Sequence, residues 1–158
     1  MFREFSGSIM NVLFLDIDGV FNSHQWWMKI KRDGLIFDLT SKESFCPICL
    51  SNFQYILENI PDINIVITST WRKYTSLETF NSWFDNKVIG KTTTTFVANR
   101  GEEIKHFLET NPQIKNFLIL DDDQDMTPFN DHLVKTDPRT GLMLDKAIEV
   151  IERFRKFS

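Results

Sequence analysis

The chain is poor in cysteine, in surplus positive charge and in long apolar runs. Two cysteines in 158 residues cannot complete a structural zinc site alone, and no histidine pair stands near them at finger spacing. Lys and Arg number 18 against 22 Asp and Glu, a net charge of −4. Extensive non-specific binding to nucleic acid or to an anionic membrane is therefore not expected, because both need a cationic surface. No apolar run approaches the roughly 20 residues of a membrane span. Met1 to Ser8 has no apolar core of a signal peptide, so a cytoplasmic setting is expected by default. Repeats and low-complexity tracts are also missing. What remains is ordinary for a globular protein: 42% hydrophobic and 25% charged residues, with 15 Phe and four Trp to fill a core. The length suits one domain over residues 10–158, with 1–9 as an extension if Met10 is the natural start.

The organising stretch is Asn11-Val-Leu-Phe-Leu-Asp16-Ile-Asp18-Gly19-Val20. An apolar run that meets a turn signal reads as a strand buried on both faces. In open α/β sheets ligands bind beyond the carboxyl ends of the strands. In strand geometry Asp16 and Asp18 would share one face. Two carboxylates that close repel unless a cation or proton lies between them, which points to a metal-assisted site.

Later segments repeat the pattern. Residues 21–45 have no clear period, are too long for a plain loop and carry His24, Trp26, Trp27, Lys29, Lys31 and Arg32. They read as a small cap-like or flap-like insertion over the strand end. The tryptophans serve either as packing or as a stacking platform for a base. In Cys46-Pro47-Ile48-Cys49 a polar segment, not a strand, precedes the cysteines. Pro47 fits a first helical turn and Cys49 a small apolar packing role, in a helix from Pro47 to Ile60. Ile63–Ile67 reads as a second buried strand, ending in Thr68-Ser69-Thr70-Trp71-Arg72. Thr75 with Glu78, and Asn99 with Glu102, form capping boxes for two further helices. Lys87–Gly90 is a short strand and 91–96 a Thr-rich loop. Asn116–Leu120 is a third buried strand, running into Asp121-Asp122-Asp123-Gln124-Asp125. A short strand, a turn at Asp137-Pro138 and a helix from Leu142 to Phe157 close the chain. The last helix places Leu144, Ala147, Ile148, Ile151 and Phe154 on one face. Alternating strands and helices imply an α/β fold with a mostly parallel sheet flanked by helices. Three strand ends, at Asp16/Asp18, Thr68/Ser69 and Asp121/Asp122, then fall on one edge.

These motifs, in this order, resemble the haloacid dehalogenase (HAD) superfamily. Ser69-Thr-Trp71-Arg72, Arg100-Gly-Glu-Glu-Ile, the Asp run and Thr140-Gly-Leu resemble the small HAD domains associated with RNA repair proteins. The resemblance implies a HAD-like Rossmannoid fold and a phosphatase. Asp16 would be the nucleophile, forming an aspartyl-phosphate, and Asp18 the general acid and then base. Thr68 would bond the phosphoryl oxygens. Arg100, with Lys91 as rival, would supply the positive charge. Mg2+ would be held by Asp16, the backbone carbonyl of Asp18, Asp121 and Asp122, with Asp125 as an alternative to Asp122. Ser69, Trp71, Arg72 and Lys91 are candidate substrate-binding residues. Asp18 favours phosphoester hydrolysis over dehalogenation, which needs no acid for its leaving group. The expected substrate is a nucleotide or a phosphorylated polynucleotide end. The alternatives are a small metabolite, a protein phosphosite, or a non-catalytic phosphate- and metal-binding module of the same fold.

Overall fold

The computed structural model describes residues 10–35, 38, 41–93 and 99–157. Five parallel strands form one sheet: β1 (Met10–Leu15), β2 (Ile63–Ile67), β3 (Val88–Lys91), β4 (Ile114–Asp121) and β5 (Leu133–Lys135). Their order is β3-β2-β1-β4-β5. The chain works outward from β1 through β2 to β3, then crosses to β4 on the other side of β1. The crevice between the ends of β1 and β4 is thus the point where strand order reverses, the place where such sheets bind ligands. β1 pairs with β2 from Asn11↔Ile63 to Leu15↔Ile67, and with β4 up to Leu15↔Leu120.

Alternation along the strands explains the two cores. Leu13 and Leu15 of β1, with Ile63, Ile65 and Ile67 of β2, face one layer; Met10, Val12 and Phe14 face the other. On the first side lie α2 (Pro47–Asn59), α3 (Leu77–Trp83) and α5 (Leu144–Arg155); on the second lies α4 (Arg100–Thr110). Phe21, Phe45, Phe53 and Phe84 cluster on the first side, with ring centroids 5.1–5.6 Å apart in four pairs, so much of the aromatic content is spent there.

Local chemistry sets the helix starts. Pro47 opens α2 at a position where its missing N–H costs nothing. The Asn99 side chain accepts from the N–H of Glu102 and caps α4, as the capping signal predicts. The cap of α3 is Ser76, whose Oγ accepts from the N–H of Thr79; the Thr75–Glu78 box expected from sequence is one residue out of register. The aperiodic insertion holds a helix, α1 (His24–Arg32), capped by Ser23. On α5 the inward residues are Ala147, Val150, Ile151 and Phe154, while Leu144 and Ile148 are exposed. The expected apolar face was therefore rotated toward solvent by those two residues, and Val150 belongs to the core instead. The expected extension at 1–9, and parts of the insertion and the Thr-rich loop, lie outside the described residues. No helix among the described residues is long and apolar enough to cross a membrane.

Candidate active site

β1 ends at Leu15 and the chain turns at once. The Asp16 N–H still donates to Leu120 O (3.0 Å), while Val20 N and Phe21 N both close on Ile17 O. Gly19 takes φ +79° in this turn, a region only glycine enters freely. A Cβ there would stand 2.2 Å from Asp122 Oδ2, so glycine is required twice over, for the turn and for the approach of Asp122. Thr136, just beyond β5, donates its hydroxyl to Gly19 O (2.8 Å). The turn is thus pinned from β5 as well as from within.

Because the strand stops short, Asp16 and Asp18 do not share a pleat. Asp16 is buried (4% exposed) and Asp18 is exposed. Both nevertheless border one polar cavity of about 340 Å3, together with Thr70, Arg72, Lys73, Arg100, Glu103, Asp122 and Asp123. Asp18 Oδ1 accepts from Asn22 Nδ2 (2.6 Å) and from Trp71 Nε1 (3.0 Å), which hold its carboxylate in place.

The inner acids are Asp16, Asp121 and Asp122. Their oxygens lie within 4.8 Å of one another. Burial, then the neighbouring Asp121, push the Asp16 carboxyl well above the usual carboxylate range, and Arg100 pulls the other way. Asp122 is raised too, by burial and by Asp121. Among the described residues these three carboxylates have one ion-paired cation, Arg100, and are short of positive charge. That deficit, and the all-oxygen donor set, fit a hard divalent ion such as Mg2+. Asp125 does not join this group: it accepts from Thr127 N and Oγ1 at the next turn. Asp123 donates its N–H to Asp121 Oδ1 (2.9 Å) and fixes that carboxylate.

The adjacent cation is Arg100, the first residue of α4. Its Nη1 lies 2.6 Å from Asp121 Oδ2 and 3.2 Å from Asp16 Oδ2. Burial works against its charge, but the two carboxylates outweigh it and raise its pKa above the ordinary value. Gly101 makes this placement possible, since a Cβ there would meet Thr127 O at 2.1 Å. Lys91, the rival, points elsewhere, donating from Nζ to Arg72 O (2.9 Å).

The end of β2 is built differently. Ser69 Oγ accepts from Trp71 N (3.2 Å) and starts a short 3-10 turn over Thr70–Lys73. Arg72 is buried; it donates to the carbonyls of Thr68 (2.6 Å), Ser69 (2.8 Å) and Thr92 (2.9 Å), and pairs with Glu103 Oε2 (2.7 Å). It ties β2, β3 and α4 together. Among the described residues the buried Thr68 hydroxyl has no hydrogen-bond partner, a costly state for an isolated group.

On the far side of Asp18 a second cavity, about 430 Å3, is lined by Asn22, His24, Trp27, Trp71 and Asp122. Trp27 is 41% exposed, with Lys31 Nζ 5.6 Å from its ring centre, whereas Trp26 packs inward and donates Nε1 to Ser44 O (2.8 Å). Sequence reasoning passed over Asn22, Glu103 and Thr136. Glu103 had a signal, a charged residue beside Ile104 on the inward face of α4; Asn22 and Thr136 had none beyond their places at chain reversals.

A family model for the HAD domain in Swiss Army Knife RNA repair proteins matches residues 12–147. No curated protein and no solved structure matches the chain. The match starts within β1, takes in β2 to β5 whole, and includes every residue of the acid cluster.

Proposed function

Since the chain belongs to the family of HAD domains found in Swiss Army Knife RNA repair proteins, a phosphatase-type role holds at the superfamily level, and we propose a specific form of it. The protein is a magnesium-dependent phosphomonoester hydrolase acting through an aspartyl-phosphate, on a nucleotide or a phosphorylated polynucleotide end. The observation that carries this reading is the division of labour between the two acids of one turn. Asp16 lies buried among carboxylates and Arg100, while Asp18 stands apart, oriented by Asn22 and Trp71.

In the proposed reaction Asp16 Oδ attacks phosphorus and the bond to the leaving oxygen breaks. Asp18 gives its proton to that oxygen, then takes one from the water that hydrolyses the acyl phosphate. Arg100 offsets charge on Asp16 and on the transferring group. The Thr68 hydroxyl, which has no partner among the described residues, donates to a phosphoryl oxygen, which would relieve its isolation. Asp16, Asp121 and Asp122, with the Asp18 carbonyl, would hold Mg2+, which when bound neutralises charge between carboxylate and phosphate. Arg72 and Ser69 act by holding the β2 end in shape. The cavity beside Asp18, on the leaving-group side, offers Trp27 and Trp71 to a base. Lys91 and Lys73 supply positive charge at the rim of the β2–β3 edge.

The test is phosphate release, with magnesium, from 3′- and 5′-phosphorylated oligonucleotides, mononucleotides, sugar phosphates and a generic aryl phosphate. Turnover that Asp16→Asn abolishes is expected, fastest on the nucleic-acid substrates. Equal or better turnover of a sugar phosphate would overturn the substrate assignment. A folded wild type that is silent on the whole panel would overturn the catalytic one.

A further inference from the structure

Asp18 is held by donors from two separate segments, and both reach the same oxygen. Asn22 Nδ2 and Trp71 Nε1 donate to Oδ1, at 2.6 and 3.0 Å. A carboxyl oxygen offers two lone-pair sites, so Oδ1 is filled, and a proton placed on it would point at an N–H. Among the described residues no hydrogen bond or ion pair reaches Oδ2. One oxygen is gripped and the other is open to carry a proton.

Both donors are themselves anchored. At its other end the Asn22 amide accepts from the Gly19 N–H through Oδ1 (3.1 Å), which settles which atom of the amide faces Asp18. Gly19 is pinned in turn by the Thr136 hydroxyl on its carbonyl. The Trp71 indole is buried, its ring centre 5.2 Å from that of Phe45 and 6.2 Å from that of Trp83. Its backbone N–H donates to Ser69 Oγ. The grip therefore joins the turn after β1 to the turn after β2, across 53 residues of chain. Asp18 also borders two spaces: the acidic cavity with Asp16, and the second cavity with Asn22, His24, Trp27 and Trp71.

On the phosphatase reading above, we propose that Asn22 and Trp71 are positioning residues that fix Asp18 for proton transfer through Oδ2, adapting the site to phosphate esters of alcohols, such as a ribose hydroxyl. As an Asp16 oxygen bonds to phosphorus and the ester P–O bond breaks, the Oδ2 proton passes to the leaving oxygen. The product departs as a neutral alcohol, and Asp18 remains as a carboxylate held by two N–H groups. When water attacks the acyl phosphate, its proton goes to Oδ2 and restores the acid. A nitrophenyl ester has a stable leaving anion and gains little from that proton; an alkyl ester depends on it.

The test is a series of leaving groups. With magnesium, kcat and KM are measured on 4-nitrophenyl phosphate, phenyl phosphate and a nucleoside monophosphate, for the full chain and its variants. Trp71→Phe keeps an aromatic ring in the core and removes the N–H. Its loss in kcat should grow along the series and be at least about tenfold greater on the nucleoside ester than on the nitrophenyl ester, with KM little changed. Asn22→Leu, close in size, should show the same trend, and Asp18→Asn a steeper one. Adding Trp71→Phe to Asp18→Asn should cost almost nothing further, because the two act as one unit. A loss in Trp71→Phe that is equal on all three esters, or that adds in full to that of Asp18→Asn, would mean a merely structural tryptophan and would overturn the proposal. Should Asn22→Leu fail to fold, Trp71→Phe and the double variant decide alone. A folded wild type silent on the whole series would overturn the phosphatase reading, and the positioning roles with it.

Discussion

Two arginines reach the same polar cavity, buried Arg72 from the end of β2 and half-buried Arg100 from the start of α4, and their partners differ in kind. Arg72 makes three bonds to backbone carbonyls and one ion pair with Glu103. Its charge is matched by a single buried carboxylate, and its donors are spread over β2, β3 and α4. Arg100 faces two carboxylates of a group of three, and the local charge does not close. A closed set resists any change of charge, and that is architecture. An open set is stabilised by an incoming cation. The two sites therefore predict opposite responses to substitution.

The largest effect is expected at the open set. Asp16→Asn should lower phosphate release by at least about 10⁴-fold while the melting temperature holds or rises, because a crowded buried charge is removed. A variant that melts well below wild type would break the comparison. Arg72→Ala should behave in the reverse sense: urea unfolding should lose about 3–5 kcal/mol, since Glu103 is left buried and unpaired. Replacing both partners with apolar residues, Arg72→Met with Glu103→Leu, should recover much of it. A loss under about 1 kcal/mol for Arg72→Ala would mean that the pair is not structural. Arg100→Ala should cut turnover about 10²–10³-fold with a smaller change in stability than Arg72→Ala. The smallest effect is in the pH dependence. Asp16 has its pKa raised on folding, so its contribution is favourable while protonated and is lost as pH rises through the raised value. In the metal-free protein, the melting-temperature gap between Asp16→Asn and wild type should widen as pH climbs toward neutral. Added magnesium should narrow it; a gap independent of both would sink the idea of an uncompensated acid cluster.

The open set was legible in the sequence because each of its members interrupts an apolar run. Asp16 ends one, Asp121 ends another, and a buried strand has few reasons to stop on an acid. Asp122 was separable from Asp125 only in three dimensions, where Thr127 claims the latter and the missing side chain of Gly19 admits the former. The closed set was nearly invisible. Arg72 looked like a substrate contact because its partners are mainly backbone carbonyls, which no residue pattern reports. Gly101 is a poor helix former by propensity, yet its close approach to Thr127 O brings α4 near enough for Arg100 to reach Asp121. The start of α2 was legible, since Pro47 marks a first helical turn; the bond from Cys46 N–H to Phe21 O (2.8 Å) was not. The expected face of α5 failed for a simpler reason, since helical spacing alone does not say which edge of a broad apolar stripe turns inward.

The strand order has a consequence for how the chain assembles. β1 is the central strand, yet Asn11 pairs with Asn116, 105 residues further on. As the chain is synthesised, β1 can associate with β2 and β3 long before β4 exists. In that interval a largely apolar strand edge stands bare, a template for mispairing with other chains. The last residues to arrive on β4 are also the acids that complete the Asp16 cluster. Closure of the sheet and assembly of the cluster are one event, placed late on a slow, long-range folding route.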